Sequence, residues 1–146
     1  MKKFSFRLEA VLDQRKKKEQ QALVAQSEAE KMYQEQLAAL EHTRRLLNES
    51  LQAPGCRDLA GELHRVLYRE HLKSKIARQS CRVQQAKEKL DEARRAAMLA
   101  RQERLVIEKL KERQLEEYLQ HMRVMEEKLA DELATGLYNR KQHSVG

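Results

Sequence analysis

The chain has 146 residues, of which 36% are charged and 4% aromatic, with no Trp and a formal net charge of +7. So little bulky apolar material excludes a thick globular core and, with it, the enclosed pocket in which small molecules bind and pKa values shift; no enzyme, cofactor or small-molecule substrate is expected. The mixture is that of long helices that bury only a narrow seam, so the class is all-α.

From the N-terminus, Met1-Lys2-Lys3 looks like the start of a signal peptide, but Arg7, Glu9 and Asp13 interrupt any apolar core. No stretch approaches the roughly 20 apolar residues of a membrane span, so a soluble, cytoplasmic protein is expected. Residues 5–52 contain no strong helix breaker. They predict a first helix over about 5–52. Pro54, Gly55 and Gly61 cluster in a turn over 53–61, and a second helix follows over about 62–140. A connection this short joins antiparallel neighbours. The expected fold is a long two-helix antiparallel coiled-coil hairpin with a longer C-terminal arm, forming one domain over 1–146.

In the first helix Val11, Ala25, Met32, Ala39 and Leu46 share one heptad position with Lys18, beside Leu12, Tyr33, Leu40 and Leu47. In the second, Ile76, Val83, Leu90 and Ala97 alternate with Gln79, Ala86, Ala93 and Ala100, and Met98 is assigned to the seam. Arg104 breaks that register, and the stripe resumes through Ile107, Leu110, Tyr118, Met122, Met125, Leu129, Leu133 and Leu137 after a stutter. A bend near Gly55 gives facing residues numbers that sum to about 112, pairing Ala22 with Leu90 and Ala29 with Val83. The first arm would then end near Arg104. Leu105 to Lys141 would carry an apolar stripe with no partner in the chain, an interaction surface.

Cys56 and Cys81 fit a reducing compartment and are read as inert thiols. The run Arg15-Lys16-Lys17-Lys18 has no interleaved aromatic residue for base stacking and reads as a solvated helix face, so no nucleic acid is expected as a partner. His64 and His71 are two helical turns apart, too far to share a metal. No catalytic triad, phosphate-binding loop or CxxC occurs. Met122 and Met125 serve either as an adaptable binding strip or as seam filler.

Two segments carry a resemblance. Phe4-Ser5-Phe6-Arg7-Leu8-Glu9-Ala10-Val11-Leu12-Asp13-Gln14-Arg15 resembles the F-x-F-x-L-x-x-V-L-x-x-R start of the FliJ family of bacterial flagellar export proteins. Glu127-Lys128-Leu129-Ala130-Asp131-Glu132-Leu133-Ala134 is similar to its C-terminal E/Q-K-x-x-D-E-x-A. The resemblance implies a coupling stalk, similar to the central subunit of rotary ATPases. Its implied partners are the FliI-type export ATPase hexamer, the export gate protein FlhA and export chaperones, and it would sit peripherally on the inner membrane at the flagellar base.

By the same resemblance Leu8, Leu12, Arg15, Lys128, Asp131 and Glu132 would face the ATPase. Gln36, Leu40, Leu47, Tyr68, Leu72 and Gln79 would face the gate, although Leu40 and Leu47 also fall on the seam. Thr43 and Lys75 stand where some relatives carry an aromatic and a small apolar residue. The residues alone leave open a generic coiled-coil adaptor, the stalk of a virulence type III secretion system and, through the +7 charge, a nucleic-acid-binding rod.

Overall fold

The computed structural model describes residues 3–144; Met1 and Lys2 of the basic start, and Gly146, lie outside them. The described residues form two helices and no strand, α1 (Glu9–Gln52) and α2 (Leu59–Ser144). The fold is an all-α two-helix hairpin. Among the described residues no helix is long and apolar enough to cross a membrane.

α1 starts at Glu9 rather than at residue 5. The cause is the spacing of Phe4 and Phe6: residues two apart share a side in extended chain but lie about 200° apart around a helix. Phe6 is buried and the Phe4 ring lies 5.6 Å from that of Tyr118, so both phenylalanines are used only if residues 3–8 stay non-helical. α2 starts at Leu59 and takes Gly61 into its first turns. A Cβ on Gly61 would come within 3.2 Å of the Cys56 side chain, so glycine lets the connection fold closely over the helix start. Gly136 also continues the helix, at a cost of about 1 kcal/mol relative to Ala.

The chain divides into two compact units, residues 17–101 and residues 1–16 with 102–146, each holding part of both helices. The first unit contains the bend. α1 has no basic residue in its last turn to balance the carbonyl dipoles gathered there. α2 supplies them instead: Arg65 donates to the carbonyls of Pro54 (2.8 Å) and Ala53 (3.2 Å), and Arg69 donates to the Ser50 carbonyl and hydroxyl. The end of α1 is thus held against the second and third turns of α2, and the first turn of α2 runs on past it, leaving Leu59 and Leu63 exposed.

This overlap sets the stagger. Ser50 meets Arg69, Glu30 bridges Arg94 at 2.8 Å, and Ala29 lines a groove with Gln85, Ala86 and Lys89. The pairing is antiparallel but displaced by about one heptad from the alignment of Ala22 with Leu90 and Ala29 with Val83. The heptad pattern is unchanged by a shift of one repeat, so it selects the buried face without selecting the axial position. Leu40, Thr43, Leu72, Leu90, Ala97 and Ala100 form the buried seam. Thr43 spends its hydroxyl on the Ala39 carbonyl one turn back (3.1 Å), which removes the cost of burying it. Met98 is exposed, not seam filler.

In the second unit the non-helical segment and the first turns of α1 run antiparallel to α2. Arg15 bridges Glu103 at 2.6 Å, Glu9 bridges Lys111 at 2.7 Å, and Lys111 lies 5.9 Å from the centre of the Phe6 ring. Leu12 is buried at 1% exposure. Arg104, at the break in the heptad register, is half-buried and bridged to Glu108 one turn on at 2.6 Å. Partnering therefore continues to Tyr118 and does not end near Arg104. Wholly exposed helix begins only after Met122, because a non-helical chain rises up to about 3.3 Å per residue against about 1.5 Å for a helix, so six residues of strap cover more than two turns of α2.

Three measurements test this packing. Cysteines in place of Glu30 and Arg94, with Cys56 and Cys81 replaced by Ser, should be joined within one chain by a maleimide crosslinker spanning about 8 Å, whereas the unshifted alignment separates them by about 18 Å. Arg69→Ala should lower stability to urea by about 1–2 kcal/mol through loss of its charge-assisted bonds to Ser50. Phe6→Ala should cost about 3 kcal/mol and raise hydrogen exchange at amides near Lys111.

Candidate functional site

A surface with no partner inside its own unit is where this fold can act. Beyond Met122 the side chains of α2 described to Gln142 are all exposed. Val124, Met125, Leu129, Leu133, Leu137 and Tyr138 are the large apolar ones among them. Met125, Leu129, Leu133 and Leu137 recur at helical spacing and make a stripe that water alone covers. Glu126, Lys128 and Glu132 flank it, two carboxylates and one ammonium, while Glu127 and Asp131, two residues from its members, lie on the opposite side of the helix. Thr135 donates to the Asp131 carbonyl at 2.8 Å, an ordinary back-bond within the helix.

The six residues expected to face an ATPase do not form one spot. Leu12 is buried, Leu8 and Arg15 are half-buried, and Arg15 is already engaged by Glu103. Lys128, Asp131 and Glu132 are exposed. They lie about 25–30 Å further along α2 than Lys111, which marks the start of α1. Leu8, Leu12 and Arg15 thus hold the strap and α1 on α2, and of the six only Lys128, Asp131 and Glu132 are exposed enough to touch another molecule.

The six residues expected near the gate divide similarly. Leu40 and Leu72 are buried in the seam, and Leu47 is half-buried. Tyr68 is exposed, Gln36 lines a groove of about 260 Å³, and Gln79 lines a neighbouring one of about 270 Å³. Gln79 Oε1 is shielded from solvent without a hydrogen-bond partner among the described residues. Both grooves include Arg82. Two surfaces went unnoticed in the sequence: an exposed apolar set at the bend, Leu51, Leu59, Leu63, Val66 and Leu67, and a basic file along α2 beginning at His71. The second was legible as cations spaced three and four apart. No group of three or more metal-ligating side chains occurs among the described residues, and both cysteines are free and exposed.

Compared with known protein families, residues 4–143 match the family described as flagellar FliJ protein. The chain belongs to the FliJ family. The match spans nearly the whole chain, including both units, and makes it a flagellar export-related protein. Comparison with the curated proteins and with the solved structures gives no significant match. Within the FliJ family match lie both the Phe4-Ser5-Phe6 strap and Lys128, Asp131 and Glu132 of the exposed arm.

Proposed function

We propose that this FliJ-family chain is a non-catalytic coupling stalk of the flagellar export apparatus, joining the FliI-type ATPase ring to the export gate protein FlhA and assisting export chaperones. The observation that carries this reading is the exposed stripe of Met125, Leu129, Leu133 and Leu137, a helix face suited to burial inside a ring. On this reading Lys128, Asp131 and Glu132 touch the ATPase, while Leu8, Leu12 and Arg15 position the helix that presents them. Gln36, Leu47, Tyr68 and Gln79 face the gate, with Leu40 and Leu72 supporting them from the seam. The protein would work in the cytoplasm, held at the inner membrane through its partners.

Co-purification with the export ATPase tests the proposal. A chain ending at Met122 keeps the Phe4–Tyr118 and Glu9–Lys111 contacts but lacks the stripe, and should lose ATPase binding. The double reversal Asp131→Lys with Glu132→Lys should weaken binding by about 10-fold or more while leaving FlhA capture intact. Full ATPase binding by the shortened chain would show that the arm is not the contact.

A further inference from the structure

Between Arg65 and Lys89 α2 carries eight Lys and Arg against two carboxylates, Glu70 and Glu88, so this stretch supplies most of the chain's net +7. His71, Lys75, Arg78, Arg82 and Lys89 are spaced by four, three, four and seven residues, which sets them along one face of the helix about 27 Å long. Of the two carboxylates, Glu70 bridges Lys73 and Glu88 accepts from Gln84. Among the described residues Lys75, Arg78, Arg82 and Lys89 have no ion pair. On the opposite flank of the same hairpin the charges are balanced, Glu30 bridging Arg94, which also approaches Asp91.

The basic file borders a furrow. His71, Lys75, Arg78, Gln79 and Arg82 line one part, and Arg82, Gln85, Ala86 and Lys89 continue it with Ala29, Met32 and Gln36 of α1 on the far bank. The α1 residues that line it are uncharged, Glu28 and Glu35 standing outside it one turn to either side of Met32, and Met32 is 53% exposed. A furrow between two helices with an apolar floor and one cationic wall has the shape of a site for a third helix. We propose that it docks an acidic amphipathic helix of a protein partner, with apolar side chains on Met32, Ala29 and Ala86 and carboxylates along Lys75, Arg78, Arg82 and Lys89.

A nucleic acid would leave the apolar floor unused, and no aromatic side chain lines the furrow for base stacking. A lipid surface calls for a projecting apolar blade, whereas here the apolar side chains lie between two banks. The furrow shares Gln36 and Gln79 with the surface proposed to face the gate, so the inference rests on and deepens that reading; a synthetic peptide tests the furrow, whereas FlhA capture tests the gate reading, and the two can fail separately.

The probe is a labelled synthetic peptide of about 18 residues, helical, with Leu along one face and Glu along its border, titrated against the full chain by fluorescence anisotropy. A peptide with Gln in place of each Glu should bind about 10-fold more weakly. The variant Lys75→Glu, Arg78→Glu, Arg82→Glu, Lys89→Glu should lose at least about 10-fold. The equally charged control Arg45→Glu, Arg57→Glu, Lys87→Glu, Arg95→Glu should stay within about 3-fold.

Met32→Gln changes no charge and should still weaken binding by about 3- to 10-fold through the lost apolar contact. It also serves as the test should a charge-reversed variant lose its helical circular dichroism. Equal losses in the two charge-reversed variants, or unchanged affinity in Met32→Gln, would overturn the proposal. So would tighter binding of duplex DNA or phosphatidylserine vesicles than of the peptide, with the same sensitivity to the Lys75–Lys89 reversals.

Discussion

The bonds from Arg65 and Arg69 to the last carbonyls of α1 fix how the two helices of the bend-containing unit lie along one another. A helix end concentrates unpaired acceptors and a partial negative charge, and α1 brings no cation of its own to meet them. Two guanidinium groups from α2 do so, and their planar donor geometry tolerates little sliding. The seam of Leu40, Leu72 and Leu90 could form at several staggers one repeat apart. The polar cap selects one, so the charged contacts at the bend determine which apolar residues meet further along.

That division of labour explains what the residues reveal by themselves. Apolar periodicity and the Pro54-Gly55 break are local signals, and from them the helical class, the bend and the small-residue seam at Ala97 and Ala100 are all legible. The stagger is not, because it depends on where two long arginine side chains reach. Nor does heptad reading foresee the strap: Phe4 and Phe6 are two apart, a spacing with no meaning in a helix and a clear one in extended chain. At the candidate site, the stripe from Met125 to Leu137 is readable as periodicity, while the burial of Leu12, Leu40 and Leu72 beneath the surfaces assigned to them depends on tertiary packing.

Family membership and physical surface bear on different questions. The match over residues 4–143 makes the chain flagellar and export-related. The side chains show where contact can occur, and they offer chemically distinct surfaces: an apolar stripe with a mixed charged border in one unit, and in the other a furrow with one cationic wall. The cationic wall selects an acidic partner, whereas the mixed border of the stripe leaves selection there to apolar contact, so the two surfaces favour different partners.

The contacts also differ in how far along the chain their members are separated. Ser50 and Arg69 are 19 residues apart, Arg94 and Glu30 are 64, and Lys111 and Glu9 are 102. The entropy of closing a loop grows with its length, so the bend pairs before the ends and the strap joins last. On a ribosome, α1 is complete long before the part of α2 that the strap covers has been made. Until Lys111 and Tyr118 emerge, Phe4 and Phe6 have no place to bury, and the nascent chain carries two exposed aromatic rings while more than a hundred residues are added.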